Sequence, residues 1–476
     1  MDPPPSHCSS LKVLEVCHVS PPPNSAPETI LPLTYIDIPY LMRPASELLL
    51  FFNLSIQTND FMDTLLPKIK DSLSLTLQHF PSLAGNLEWS PGSDKPLIRY
   101  TNGDYVPVTV AESSLNFNHL SSYNARDPQE LKLLIPPMTS PTKQAPSFAI
   151  QITLFPTSGF SMSIVTNHAV MDGRSAALFV SSWASVSRSG IDGYEGPLPS
   201  YDRAEVKGPS GIEELFIDQL VKFVRSKSMS EHDMNNWVLL SKSVEPSEGA
   251  VFKTFELSVA DISKLKKTIL DAQNKVISTG NETTPLLLNP SRFEVVCAYT
   301  WICLTKADME LKASNDSHDE TTTIIFSVDY RSRSNPPLPS NYFGNCAVSI
   351  RVTAKKNEIL GEGGVVAAVR KIRSEIKGLG ETIEMNLKQR AARLISSTPE
   401  RFRVIAGSTQ FAFYKLDFGW GRPCKIDYLS IVTSGALFFS DSRKDEGGIE
   451  ISLVRSKKVM EAFGFSFANV LESLVH

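Results

Sequence analysis

The chain has 476 residues, 42% of them hydrophobic and 21% charged. That balance is ordinary for a globular protein, and the length exceeds what a single core comfortably serves, so two domains are expected. A net charge of −4 argues against general binding to nucleic acid or anionic membranes, and leaves any phosphate-bearing ligand to be met by local cations.

Met1-Asp2-Pro3-Pro4-Pro5 offers neither the basic start nor the apolar stretch of a signal peptide. The nearest candidate for a membrane span, Glu47 to Leu54, falls well short of the ~18 apolar residues required. The six cysteines, Cys8, Cys17, Cys297, Cys303, Cys346 and Cys424, form no Cys-x-x-Cys and no disulfide framework. A cytoplasmic location is expected.

Phe148, Ile150, Ile152 and Leu154 alternate with Gln151 and Thr153. Thr157-Ser158-Gly159 then turns the chain, and Phe160, Met162 and Ile164 alternate with Ser161 and Ser163, which predicts a β-hairpin. Behind it, Ala176, Val180, Trp183 and Ser187 recur at helical spacing. Asp172 therefore falls in the N-cap region of a helix whose positive end suits a carboxylate. His168 lies on the short turn between, in Asn167-His168-Ala169-Val170-Met171-Asp172-Gly173. A neutral imidazole is the usual group for taking a proton from a hydroxyl near neutral pH. Read by itself, the segment serves equally a catalytic pair or a structural histidine beside a capping aspartate. Zinc would need three or four protein ligands; the other histidines (His7, His18, His79, His119, His232, His318, His476) are scattered, and no metal is expected.

From Ser187 to His232 the chain is interrupted by Gly190, Gly193, Gly196, Pro197, Pro199, Gly208, Pro209 and Gly211. This predicts an interdomain crossover over 187–232 between a mixed α/β half at 1–186 and a second at 233–476. In the second half the pattern predicts a helix from Val259 to Asn274, a buried helix from Phe293 to Lys306, and strands at Thr323–Asp329 and Ala347–Thr353. Gly361-Glu362-Gly363-Gly364 lacks the spacing of a phosphate loop and reads as a helix entry. Finally, Leu416-Asp417-Phe418-Gly419-Trp420-Gly421-Arg422-Pro423 follows an apolar, strand-like Phe411-Ala412-Phe413-Tyr414. Two glycines around a tryptophan suggest a backbone bent sharply in a crowded place. Trp420 brings a flat surface and one N–H donor, although a β-bulge with a core tryptophan reads as well.

In this order and separation, the two motifs resemble the BAHD acyl-CoA-dependent acyltransferases of plants: His168 and Asp172 match H-x-x-x-D-G, and Asp417 to Gly421 match D-F-G-W-G. The likeness runs nearly end to end, through Leu33 to Pro39, Leu75 to Leu87, Cys297 to Trp301, Asp329 to Arg333 and Tyr342 to Cys346. The whole tract from Asp329 through Pro336-Pro337-Leu338-Pro339 to Cys346 resembles the subgroup that acylates sugars of anthocyanins, flavonoids and other phenolic glucosides.

The resemblance implies an α/β fold of two similarly folded mixed-sheet domains of the chloramphenicol acetyltransferase-like type, with an active-site channel at their interface. It implies an acyl-CoA co-substrate with no bound cofactor, a phenolic glycoside acceptor, and His168 as general base. The Trp420 indole N–H is the candidate oxyanion donor, with backbone amides as the alternative. Asp172 and Asp417 are counted with the site in structural roles, Asp172 pairing with Arg292 or Arg331 and Asp417 with Arg331 or Arg333. Lys253, Ser291 and Arg292 are the candidates for CoA phosphates. Malonyl is the expected donor group, with Arg174 as the nearest cation for its carboxylate; an aromatic hydroxycinnamoyl donor is the alternative. A non-catalytic binding protein on the same fold is the alternative of another class, disfavoured by the intact His168 and Trp420. A monomer is expected.

Overall fold

The computed structural model describes residues 10–90, 92–138, 145–194, 196–230, 248–278, 289–311, 320–393 and 403–473. A first six-stranded sheet runs in the order β1 (Leu11–Val19), β6 (Val106–Ser113), β8 (Phe148–Phe155), β9 (Gly159–Thr166), β3 (Ser46–Asn53), β14 (Lys425–Tyr428). A second runs β10 (Ala250–Leu257), β16 (Ile449–Ser456), β15 (Leu437–Asp441), β13 (Arg403–Gly407), β11 (Thr321–Asp329), β12 (Ala347–Lys355). A four-stranded sheet of β2 (Thr29–Pro32), β5 (Leu97–Tyr100), β4 (Asn86–Glu88) and β7 (Ala145–Pro146) completes the set. Parallel pairs occur among antiparallel ones in both large sheets, β6 with β8 in the first and β13 with β11 and β15 in the second. The mixed α/β class is as expected.

The expected hairpin forms, with Ile150 opposite Ile164 and Ile152 opposite Met162. Its alternation does not separate core from solvent, however, because every residue of β8 and β9 is buried. Ile150, Ile152, Phe160 and Met162 pack in one core with residues of helices Leu66–Leu77 and Gly173–Ser189. The polar positions between them hydrogen-bond locally: the Gln151 amide donates to Thr153 Oγ1 and to the Leu133 carbonyl, each at 3.0 Å, as buried polar groups must.

On β3 the period of two divides the side chains between two cores. Leu48, Leu50 and Phe52 join the first core, whereas Leu49 and Phe51 join Phe117 and Phe155 in a second, which also takes Phe252, Phe438 and Val454 from the other large sheet. β14, from late in the sequence, pairs antiparallel with β3 in the first sheet, Lys425 opposite Phe51. The two large sheets thus share a side-chain core, and the first takes an edge strand from the second half of the sequence.

The local structure adds to the sequence reading at one place and departs from it at another. The crossover contains a helix, Ile212–Ser226, whose Ile212, Phe216, Leu220 and Val224 are buried at four-residue spacing. The glycines stop at its N-cap, Gly211, at φ 76°, so they set the start of an element rather than preventing one. The end of that stretch, 231–232, and the first residues of the second half lie outside the described residues. Phe411–Tyr414, by contrast, is no strand; Ala412 sits at φ 51° and Phe413–Lys415 makes one turn of 3-10 helix. The glycine run does enter a helix, Gly364–Lys377, and a Cβ on Gly364 would lie 2.2 Å from the Ile359 carbonyl oxygen.

Candidate active site

His168 sits between the end of β9 and helix Gly173–Ser189. Asn167 shapes the turn, its side-chain oxygen accepting from Ala169 N at 3.0 Å and its carbonyl from Val170 N at 2.9 Å. The His168 carbonyl accepts from Asn345 Nδ2 at 2.9 Å, and that same amide donates to Asp37 Oδ1 at 3.0 Å. Asp37 in turn accepts from Thr34 N and Oγ1 at 2.9 and 2.7 Å. The tracts Leu33 to Pro39 and Tyr342 to Cys346 therefore meet beneath the histidine. The sequence marked both tracts but gave neither a role; the available signal was Asp37 and Asn345, polar residues in apolar runs, both fully buried.

The His168 ring is half-buried and stacks on Tyr40, centroids 4.1 Å apart. Its Nδ1 is buried without a hydrogen-bond partner among the described residues, which leaves Nε2 as the nitrogen open to a substrate. Burial pushes its pKa down to about 4; Arg390 and Arg43 push the same way, while its own backbone and Asp172 oppose them. The imidazole is consequently neutral near pH 7 and able to accept a proton.

The partners of Asp172 lie elsewhere than on that ring, whose buried Nδ1 takes no hydrogen bond among the described residues. The Asp172 carboxylate caps the helix by accepting from Ser175 N at 2.9 Å, accepts from Cys346 N at 2.9 Å, and receives Arg331 Nη1 and Nη2 at 2.9 and 3.1 Å. Burial alone would raise its pKa, yet Arg331 and these donors hold it below the usual carboxylate value. Of the two arginines expected, Arg331 is the partner.

Trp420 lies elsewhere. Its indole stacks on Phe418 at 5.0 Å and meets Phe52 and Phe160 edge-on at 6.3 and 6.2 Å. Phe160 begins β9 while His168 follows its end, and at ~3.3 Å per residue the strand separates them by roughly 20 Å or more. A second ruler agrees: Ser187 Oγ donates to the Phe418 carbonyl at 2.9 Å, and the helix from Gly173 to Ser187 spans about 21 Å. An oxyanion donor must lie within ~3 Å of the reacting oxygen, so the expectation that Trp420 supplies it is overturned. Asp417 also departs from expectation: Oδ1 accepts from Gly419 N at 2.9 Å, closing a local turn, while Arg331 is engaged by Asp172 and Arg333 donates to the Asp329 carbonyl. The glycines are required by conformation, φ 95° at Gly419 and 115° at Gly421, and not by crowding, since a Cβ on Gly421 would meet nothing within 4 Å.

The residues expected at CoA phosphates are not brought together as a set. Ser291 is used in a capping box, its Oγ accepting from Glu294 N and its own N–H donating to the Glu294 carboxylate. Lys253 lies on β10 with its ammonium 4.8 Å over the Phe255 ring. Arg292 fits better: it donates to the Gly447 carbonyl and lines a cleft of about 160 Å³ with Val259, Ser263 and Lys266. Arg174, expected at a donor carboxylate, pairs with Asp329 at 2.9 Å and donates to the Ser340 carbonyl. It is an exposed first-turn residue that fastens the helix to its neighbour.

The profile of the Transferase family matches residues 17–469. A BAHD acyltransferase of Arabidopsis thaliana is 33% identical over 95% of this chain and 97% of its own length. The chain belongs to the BAHD acyltransferases. Phenolic glucoside malonyltransferase 2 of the same plant is 34% identical, covering 98% of this chain and 100% of that protein. A coumaroyl-CoA:anthocyanidin 3-O-glucoside-6''-O-coumaroyltransferase from Arabidopsis thaliana is 33% identical over 96% and 97%. Among solved structures, vinorine synthase aligns with this BAHD chain at a TM-score of 0.67 and 20% identity, over 95% of this chain and 96% of that one, which supports the shared fold.

Proposed function

We propose that this chain transfers a malonyl group from malonyl-CoA to a sugar hydroxyl of a phenolic or flavonoid glycoside, with His168 as the general base. The observation that carries the reading is a neutral imidazole with Nδ1 turned inward and Nε2 accessible, held by hydrogen bonds to its backbone rather than by a carboxylate on its ring. His168 Nε2 takes the proton as the acceptor oxygen attacks the thioester carbon. The tetrahedral intermediate collapses to ester and CoA thiolate, and the imidazolium returns the proton to sulfur. Positioning two substrates can remove roughly 7–11 kcal/mol of barrier and general base action adds about 10²–10⁴-fold. The oxyanion falls to donors near His168, backbone amides in first place, because Trp420 is too far away. CoA phosphates are assigned to Arg292 with Lys266 at the cleft they share.

The malonyltransferases among the relatives support malonyl as donor; the coumaroyltransferase, of similar identity, supports the second reading of an aromatic donor. We place the enzyme in the cytoplasm as a monomer. Cys17, Cys297, Cys303, Cys346 and Cys424 are free, and among the described residues no helix is long and apolar enough to cross a membrane. Competing malonyl-CoA and coumaroyl-CoA at equal concentration over one flavonoid glucoside, with products resolved by mass spectrometry, tests the donor; an excess of coumaroylated product would overturn malonyl. His168→Ala should abolish release of CoA thiol without changing the melting temperature, and activity within a few-fold of the parent would sink the base assignment.

A further inference from the structure

Two arginines lie about Tyr40, the ring on which the His168 imidazole stacks, and neither has an acidic partner among the described residues. Arg43 ends the 3-10 helix Ile38–Met42 that carries Tyr40. Arg390 belongs to helix Leu379–Arg393, and its guanidinium lies 4.6 Å over the Tyr40 ring, the same ring on which His168 stacks at 4.1 Å. Arg43 is exposed to solvent, yet it is enclosed enough that desolvation, and the charge on Arg390 after it, lower its pKa. The positive charge of both lowers the pKa of the imidazole.

The neighbouring carboxylates are committed elsewhere. Asp172 is held by Arg331, Ser175 and Cys346, and Asp37 by Thr34 and Asn345. Arg174, the cation nearest in sequence, is held by Asp329. What remains around the base is therefore an excess of positive charge, which an anionic ligand would offset.

We propose that Arg43 and Arg390 form a carboxylate subsite for the acyl donor, holding the free carboxylate of a dicarboxylic monothioester such as malonyl-CoA while its thioester carbon faces His168. This rests on the transferase reading above. The position argues for the acyl carboxylate over the CoA phosphates, because the base must reach the hydroxyl that attacks the thioester, so the acyl group is the part of the donor beside His168. Guanidinium groups suit the task, since they meet carboxylates through paired N–H donors. Stacking on Tyr40 orients one of them without consuming its charge.

The test uses the full-length chain with Arg43→Gln, Arg390→Gln and the double variant. Binding of malonyl-CoA and acetyl-CoA is measured by calorimetry, and transfer from each donor to a neutral phenolic glucoside by mass spectrometry. The parent should bind malonyl-CoA at least about tenfold more tightly than acetyl-CoA. Losing one charged hydrogen-bond partner should weaken malonyl-CoA binding and its kcat/KM roughly 10–100-fold, while acetyl-CoA stays within about threefold. Arg43 is exposed, so Arg43→Gln keeps the test open should Arg390→Gln fold poorly. Equal losses for both donors would move the arginines to the CoA phosphates and overturn the subsite, as would a parent with no preference. Malonyl transfer that survives undiminished in both variants would also overturn it and leave the transferase reading standing. Selective malonyl-CoA binding that the variants lose, with no transfer from any donor, would support the subsite and refute the transfer reading alone.

Discussion

Asp172→Asn separates a fastening role from a catalytic one. The carboxylate is 5% exposed and takes four hydrogen bonds, two of them from Arg331, itself 2% exposed. Asparagine keeps one acceptor oxygen, enough for Ser175 N and Arg331 Nη2, but turns an NH₂ group toward two donors, Arg331 Nη1 and Cys346 N. Breaking a buried ion pair costs about 3–5 kcal/mol. Arg331 retains Asp329 Oδ1 at 3.0 Å and the carbonyls of Tyr342 and Gly344, so a loss of about 2–4 kcal/mol is expected. In a protein of this size, with an unfolding entropy of about 1 kcal/mol/K, that is a fall in melting temperature on the order of 2–4 °C. Activity per folded molecule, measured as CoA thiol release well below the melt, should stay within about tenfold, because nothing on the His168 ring is removed. The sign with pH follows from the depressed folded pKa of Asp172. Its contribution is present above the unfolded carboxylate pKa of about 3.9 and is lost as pH falls through the lower folded value, so the variant's deficit should be largest near neutrality and shrink in strong acid. An unchanged melting temperature with chemistry abolished would refute the reasoning and return Asp172 to a role through His168.

Two further outcomes follow from the site. The acid limb of kcat/KM against pH should lie near 4, where burial puts His168, rather than near the unperturbed 6.5; a limb near 6.5 would show a base less buried than this. The same depression makes the unfolded chain the better proton acceptor between about 6.5 and 4, so this histidine should subtract stability as pH drops through that window. Trp420→Phe retains the stack on Phe418 and removes an N–H that has no partner among the described residues. Transfer should remain within about threefold, whereas a loss of 10²-fold or more, the value of an oxyanion donor, would contradict the distance argument.

Periodicity carried the fold further than it carried the site. The hairpin, the helix behind Asp172 and the buried helix Arg292–Leu311 were legible because apolar spacing distinguishes strands from helices. Helix Ile212–Ser226 was missed because glycines and prolines upstream masked its four-residue repeat. The pairing of Asp172 with Arg331 could be anticipated as one of two options, since a buried capping carboxylate needs a cation and few arginines lie in marked tracts. The link from Asp37 through Asn345 to the His168 carbonyl could not, because hydrogen bonds between residues 308 and 177 positions apart leave no periodic trace. Nor could the sequence tell that Arg43 and Arg390 share one tyrosine, or that Arg174 is taken by Asp329.

The placement of Trp420 failed for a reason that concerns the fold. Two motifs that together identify the family were read as one site, whereas helix Gly173–Ser189 holds them at its opposite ends. At its start Asp172 binds Arg331, and at its end Ser187 binds the backbone of Phe418. Both partners come from the second half of the sequence, so each motif is a fastening between halves, and only the first adjoins a general base. The second leads into β14, which pairs with β3 in the first sheet and whose Asp427 pairs with Arg126 and Lys425, all without solvent exposure. If the helix is a tie with two independent ends, Asp172→Asn and Ser187→Ala should lower stability additively, within about 0.5 kcal/mol, because sites more than ~10 Å apart without shared partners rarely couple. Ser187→Ala alone should cost about 1 kcal/mol, one hydrogen bond, and leave kcat unchanged. Denaturant unfolding of the parent, the two single variants and the double variant measures the coupling. A coupling above about 1 kcal/mol, or a drop in kcat on losing Ser187, would mean that the two ends communicate and that the loop around Trp420 acts on the chemistry from a distance.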